Sequence, residues 1–213
     1  MDIPWIALTN SIPSLSWLFV GVFARPPRLL RVRVRQELAG ATTVVVDRSC
    51  RRIAAPWSMP PCHHATVDVD QLGRKPFLLG ACVQEVQRLY NKPLRLPDVW
   101  GPDAGAFRPE RLIDTPPGEE KRRRGSLIPF GWGGGGEYLC PGRRFAVTEI
   151  TGLVGAVALL FDVDDVKGVT VPPIRAGFAG CAMADPDWKS SDPPRAVFRR
   201  RKGWENAQLR FTV

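Results

Sequence analysis

The sequence has few of the residues that build disulfide frameworks or clustered metal sites. Its 213 residues include two histidines and five cysteines, an odd number. The cysteines are irregularly spaced, at Cys50, Cys62, Cys82, Cys140 and Cys181. This spacing argues against a disulfide framework. Cys62-His63-His64 has no second close pair of ligands, so the triplet predicts a loop rather than a zinc site.

The sequence also lacks an internal repeat and a complete nucleotide-binding motif. No Gly-Lys-Ser/Thr follows its glycine-rich segment, which excludes a Walker-type phosphate loop. Residues 131–136 match the dinucleotide pattern G-x-G-x-x-G, but they lead into Cys-Pro-Gly instead of directly into a helix. A chain of this length is sufficient for one domain with a hydrophobic core.

Basic residues outnumber acidic residues by 30 to 21, which gives a net charge of +9. Basic runs lie at 121–124 and 199–202. Such runs indicate a solvated face, a docking surface for an acidic partner, or a nucleic-acid-binding patch. The runs are not interleaved with aromatic residues. A basic, glycine-rich nucleic-acid-binding protein is therefore the alternative interpretation and not the first one.

One cysteine stands in a distinctive context. Cys140 follows a glycine-rich approach and precedes Pro141, a residue suited to open a helix. A helix N-terminus and the nearby Arg143 and Arg144 favour a thiolate over a thiol. A lone thiolate held this way is suited to bind a haem iron as its axial ligand. The alternative is a solvated glycine loop with an incidental small buried cysteine.

The segment 129–146 resembles the haem-binding loop of the cytochrome P-450 superfamily, whose pattern is Phe-x-x-Gly-x-Arg-x-Cys-x-Gly with a later Ala. Phe130 lies ten residues before Cys140 instead of seven, and Tyr138 replaces the usual basic residue. The resemblance implies that Cys140 binds the iron of haem. It implies further haem-binding positions at Phe130, Gly136, Gly142, Ala146 and Arg95, the last for a propionate.

Two further segments resemble the same family in the same order. The apolar spacing of 77–90 predicts a helix, on which Glu85 and Arg88 share one face. The segment 100–112 resembles the family's meander. The resemblance implies that Arg111 of this segment completes a structural Glu85–Arg88–Arg111 cluster, a carboxylate–guanidinium network.

The amino end resembles the oxygen-binding part of the family's central helix. Residues 7–14, followed by Trp17, are similar to the branch of sterol 7α-hydroxylases and prostacyclin synthase. The resemblance implies that Asn10 and Ser11 occupy the positions that relay protons to bound oxygen. Asn10 replaces the family's acid and Ser11 its threonine, so Ser11 with water would carry the relay.

The same end permits a second interpretation. No charged residue occurs from Ile3 to Ala24, and five arginines follow between positions 25 and 35. This pattern is typical of a membrane-spanning helix with a basic cytoplasmic flank. The polar residues Thr9, Asn10 and Ser11 favour a buried helix beside a haem instead. Membrane association through 3–24 stays open, and complete relatives are expected in the endoplasmic reticulum membrane.

The sequence predicts a fold that is mainly α with small β segments (α+β), a truncated cytochrome P-450 fold. Residues 1–213 would form one partial domain, running from the distal half of the central helix, with an internal deletion near 91–99. We predict a helix at 26–38, a short Thr-Val-Val-Val run at 43–46, a charged surface loop at 118–125, a buried helix at 143–161 and short strands beyond.

The function implied by the resemblance is that of a haem-binding monooxygenase. Such an enzyme inserts one oxygen atom from O₂ into a small lipophilic substrate, with electrons from an NADPH-dependent reductase. We expect no nucleic-acid partner, and weak or absent turnover because the family fold is incomplete here. The alternative is a nucleic-acid-binding or single-span membrane protein without catalysis.

Overall fold

Helices make up most of the computed structural model, which describes residues 3–24, 29–47, 62–68, 77–90, 96–127, 130, 139–167 and 195–212. The α-helices are α1 (Ile3–Phe19), α2 (Leu29–Gly40), α3 (Leu78–Tyr90), α4 (Pro97–Trp100), α5 (Glu119–Ser126) and α6 (Arg143–Leu160). A π-helical turn, Val20–Ala24, continues α1, and a 3-10 turn spans Pro109–Leu112. The prediction of a mainly α fold with small β segments is confirmed.

Five short strands form two small sheets. They are β1 (Thr42–Asp47), β2 (Cys62–Asp68), β3 (Phe161–Lys167), β4 (Arg195–Arg200) and β5 (Gln208–Thr212). In the first sheet β2 is central, antiparallel to β1 and parallel to β5. In the second sheet β3 and β4 pair antiparallel, with Val163 opposite Phe198. The two sheets flank the helical part and position no side chain of the candidate site.

The core is built around α3, which is buried along almost its whole length. Helices α1, α2 and α6 all pack against it. Trp17 of α1 stacks on Tyr90 of α3 with ring centroids 3.8 Å apart and planes 12° from parallel. Such a pair adds about 0.5–1.5 kcal/mol beyond the burial of its area. The stack fixes the end of α3 that follows Arg88 against α1.

Side chains distant in sequence satisfy the ends of two helices. The Glu37 carboxylate of α2 accepts a hydrogen bond from the Leu78 N–H at 2.6 Å, at the N-terminus of α3. Burial raises the pKa of Glu37, while this backbone hydrogen bond opposes the rise. At the C-terminus of α6, Arg35 and Arg201 donate to the carbonyls of Ala158 and Leu159 at 2.9 Å. Cations there complement the helix dipole and occupy carbonyls that lack helical partners.

The amino-terminal segment packs into this core. Trp17 and Leu18 are 1% and 0% exposed, whereas Ile12 on the same helix is 51% exposed. In the described part of the chain, no helix has both the length and the apolar character that crossing a bilayer requires.

Two sequence predictions about loops are wrong. Residues 118–125, predicted as a charged surface loop, include most of α5. Its acidic first turn and basic later residues complement the helix dipole, and Glu119 pairs with Arg123 at 2.6 Å across one turn. The Cys62-His63-His64 triplet lies on β2 and not in a loop, because its backbone pairs with β1. The helix predicted at 143–161 is confirmed as α6.

A close approach at Gly21 gives a stability prediction. A Cβ added to Gly21 would lie 2.7 Å from Cζ of Phe107, which is closer than atoms can pack. We expect Gly21→Ala to lower the free energy of unfolding by about 1–3 kcal/mol, because the ring must shift. The change in stability is measured as a shift of the urea midpoint of unfolding.

Gly40→Ala is the matched control. Gly40 also lies in a helix, as the last residue of α2, and no atom lies within 4 Å of its added Cβ. Equal losses of stability in the two variants would contradict the packing explanation.

Candidate functional site

Backbone hydrogen bonds hold Cys140 just before α6. Its N–H donates to the Phe130 carbonyl at 2.8 Å. Its carbonyl accepts from the Arg143 N–H at 3.3 Å and from the Arg143 guanidinium at 3.2 Å. The structure therefore brings Phe130 and Cys140 together although ten residues separate them. This hydrogen bond joins the residues that lie before and after the glycine-rich part of the sequence.

The Cys140 thiol is free and half-buried at the N-terminal end of an 18-residue helix. Gly142 is the N-cap, and the Ala146 N–H donates to its carbonyl at 2.9 Å. A Cβ added to Gly142 would contact the Cys140 sulfur at 3.8 Å. The sulfur therefore lies near the end of α6 at which the first backbone N–H groups have no helical partners.

Cys82 provides a contrast within the same chain. It lies on α3 and is 0% exposed. Burial raises the pKa of its thiol well above the ordinary value, because a thiolate would be desolvated there. Cys82 is therefore a small core residue, whereas Cys140 can be reached from outside.

The first turn of α6, which follows Cys140, carries an exposed apolar side chain. Phe145, in the first turn of α6, is 65% exposed, and Gly142 contributes no side chain. Exposed large apolar side chains next to a reachable polar group are typical of binding sites. One soft sulfur donor with apolar and small neighbours suits a flat group that carries an iron atom.

Other predicted site residues fall partly outside the described residues. Ser11 lies on α1, half-exposed next to the exposed Ile12. Helix α1 packs against α6, the helix that follows Cys140. The backbone of Asn10 belongs to α1, but its side chain is outside the described part, as are Gly136 and Arg95.

The structure brings Glu85, Arg88 and Arg111 together in a buried network. Arg88 binds Glu85 through two hydrogen bonds, from Nε at 2.7 Å and from Nη2 at 2.8 Å. Arg111 Nε donates to Glu85 Oε1 at 3.1 Å. Glu85 and Arg88 are both 0% exposed and Arg111 is 7% exposed. Bidentate contacts of this kind are the strong class of charged hydrogen bonds.

The two arginines also organise the segment 100–112, which we call the meander. Arg88 donates to the carbonyls of Ala104 and Ala106 at 2.8 and 3.3 Å. Arg111 donates to the carbonyls of Trp100, at 3.1 Å, and Ala106, at 3.2 Å. The meander has little regular structure, so these side chains supply the partners that its buried carbonyls need.

Sequence reasoning missed three residues around this network. Asp103 accepts from Arg111 and Arg108, and these hydrogen bonds lower the pKa of its carboxyl. The Arg88 guanidinium lies 5.1 Å from the ring centroid of Trp100, and that of Arg123 lies 5.8 Å away. Arg123 also donates to the Arg111 carbonyl at 3.0 Å. Only the folded chain brings α5 to the meander, so local spacing gave no signal.

Comparison with known proteins agrees with this geometry. The family model described as Cytochrome P-450 matches residues 93–188, a range that includes the meander, Phe130, Cys140 and α6. These matches support the interpretation of the chain as a fragment of a cytochrome P-450. The haem-thiolate chemistry of that family supports haem as the cofactor. Enzymes of this family use redox partners in general.

Several curated fungal cytochromes P-450 are similar to this chain. A cytochrome P-450 monooxygenase of Gibberella zeae is 28% identical over 247 residues, which cover 97% of this chain and 43% of the relative. The enzyme esdpH of Penicillium shearii is 35% identical over 43% of this chain and 15% of the relative. The enzyme nodJ of Hypoxylon pulicicidum is 26% identical over 78% and 36%. The chain thus spans less than half of the length of each.

The buried network yields a stability prediction with an internal control. Arg88→Ala leaves the Glu85 carboxylate buried without its bidentate partner, so we expect a loss of about 3–5 kcal/mol in the free energy of unfolding. Arg108→Ala removes an arginine whose side chain is 63% exposed and pairs with Asp103 at 3.2 Å. We expect this control to cost at most about 1 kcal/mol. Urea unfolding measures the free energy of unfolding of both variants. Similar losses would contradict the explanation that the buried Arg88 pair contributes more to stability than the exposed Arg108 pair.

Asp103 yields a pH prediction. Hydrogen bonds from Arg111 and Arg108 lower its folded pKa below the unfolded value, so its contribution to stability is present above the unfolded pKa. That contribution is lost as the pH falls through the folded pKa. We expect the stability gap between wild type and Asp103→Asn to be constant above about pH 5 and to shrink below about pH 4. Urea midpoints across pH check this, and a gap independent of pH would contradict it.

Proposed function

We propose that this chain carries the haem-thiolate part of a monooxygenase, in which the Cys140 sulfur would hold the haem iron. The observation that carries this proposal is a free, half-buried thiol just before the N-terminus of α6. The match to the cytochrome P-450 family supports haem as the group that binds there. When bound, haem with a thiolate ligand supplies the cleavage of O₂ and the insertion of one oxygen atom into an organic substrate.

The residues around Cys140 have distinct proposed roles. Cys140 presents its sulfur just before the N-terminus of α6. Gly142 and Ala146 are small, so a planar group can approach the first turn of α6. Phe130 fixes the cysteine backbone by accepting its N–H at 2.8 Å. Gly136 in the loop and Arg95, as a propionate ligand, complete the proposed haem-binding set.

We place proton delivery on α1. The Ser11 hydroxyl can hold and pass a proton at its Oγ, with water as the source, and Asn10 can orient that water through its amide. Support comes from the half-exposed position of Ser11 on a helix that packs against α6. An amide cannot supply a proton as an acid does, so Ser11 is the residue that transfers it.

The substrate class and the electron donor proposed here are those that the family resemblance implies. A small lipophilic substrate would suit exposed apolar side chains such as Ile12 and Phe145. Electrons would come from an NADPH-dependent reductase. Since these apolar side chains lie open to solvent, water would reach the reaction, and controlled oxygen chemistry needs its exclusion. We therefore expect weak or absent turnover from the chain by itself.

The reduced spectrum with carbon monoxide tests the proposal. The purified chain is loaded with haemin, reduced, and its Soret band recorded with carbon monoxide. We expect a thiolate-type Soret shift in the wild type that is lost in Cys140→Ala, because the iron then has no sulfur ligand. Cys82→Ala is the matched control, since it removes a thiol buried in the core.

The control should keep the thiolate-type band despite a modest loss of stability, about 1 kcal/mol. Absence of haem uptake by a folded wild-type chain, or a band indifferent to Cys140, would overturn the assignment of the iron ligand.

A further inference from the structure

The basic helix α5 ends in a serine with an unusual sequence context. Ser126 follows Lys121, three consecutive arginines and Gly125. It is the only hydroxyl-bearing residue of the sequence whose second and third preceding residues are both lysine or arginine. Protein kinases with an acidic substrate groove select a serine by cations at these positions, through charge complementarity. The haem site described above makes no use of this feature.

The serine lies at the surface. Ser126 is the last residue of α5 and is half-exposed, with the exposed Gly125 before it. Its Oγ donates to the Arg122 carbonyl at 3.0 Å, a local contact within the last turn. A helix end frays more readily than a helix centre, so this residue can enter an enzyme's groove without unfolding the core.

The arginines before Ser126 attach α5 to the meander. Arg122 donates to the Asp98 carbonyl, and Arg123 donates to the Arg111 carbonyl at 3.0 Å. Arg123 also lies over the Trp100 ring and pairs with Glu119 at 2.6 Å. Residues three and four positions apart share a helix face, so Arg122 and Arg123 are the near neighbours of Ser126.

We propose that Ser126 is a phosphorylation site and that its phosphate releases α5 from the meander. The γ-phosphoryl group of ATP passes to Ser126 Oγ, which forms a phosphate ester. The β–γ anhydride bond breaks, ADP leaves, and the hydroxyl proton passes to a base of the kinase. No oxidation or reduction occurs.

Three effects of the phosphate act in the same direction. The ester removes the O–H that binds the Arg122 carbonyl. Its charge of about −2 lies at the C-terminus of α5, where the helix dipole opposes it. Its oxygens compete for Arg122 and Arg123, which now bind the carbonyls of Asp98 and Arg111. Asp98 in α4 and Arg111 in the meander thereby lose contacts close to the buried Glu85 network.

The experiment uses the full chain and needs no haem, so it is independent of the proposed function. A purified kinase catalytic subunit selective for basic sequences is incubated with the chain and ATP, and phosphopeptides are located by mass spectrometry. We expect phosphate on Ser126 in the wild type and none in Ser126→Ala. Arg124→Ala removes the cation at the second preceding position. It should reduce the initial rate of phosphorylation about tenfold, because one charge contact with the kinase is lost.

Hydrogen exchange then measures the consequence. We expect the backbone amides of 97–112 to exchange about tenfold faster in the phosphorylated chain, with the amides of α3 little changed. Ser126→Glu should also speed the exchange of these amides, and Ser126→Ala should not. Phosphate placed elsewhere or not at all overturns the site, and unchanged exchange across 97–112 in the phosphorylated chain overturns the release of α5.

Discussion

The buried carboxylate of Glu85 is the constraint on which the described fold depends. A fully buried carboxylate needs charged or hydrogen-bonding partners, because its desolvation costs on the order of several kcal/mol. It finds Arg88 on its own helix and Arg111 on the meander. The Arg108 N–H adds a third contact at 2.9 Å. Burial of α3 in the core therefore depends on the folding of the meander.

This dependence extends outward through Trp100 and α5. The ring of Trp100 is 2% exposed and packs with Ala104 and Leu112 into a small second core. Guanidinium groups of Arg88 and Arg123 lie near that ring, so the second core connects the buried network to the surface helix α5. Because α5 contacts the meander mainly through arginines, its attachment is electrostatic and more easily altered than the packing of α3.

The sequence predicts the parts of this arrangement that depend on short-range spacing or on a known pattern. Glu85 and Arg88 are three residues apart on a helix, which spacing alone places on one face. Arg111 was included through the family resemblance, because no local rule joins residues 26 positions apart. Asp103 and Arg123 were missed, since their contacts exist only after the meander and α5 fold together. The prediction of a loop at 118–125 was wrong, because the acidic first turn and the basic later residues of α5 favour a helix.

Cys82 and Cys140 show why a residue type alone does not define a site. Cys82 and Cys140 have the same thiol, yet burial suppresses ionisation of Cys82 while Cys140 lies at the start of a helix, partly exposed. The uncharged segment 3–24 makes a similar point, because its composition left membrane association open. Trp17 and Leu18 pack inside the protein, while Ile12 and Ser11 face outward on the helix that contacts α6. Packing in the protein core therefore accounts for apolar side chains at 17 and 18 that composition alone would equally allow in lipid.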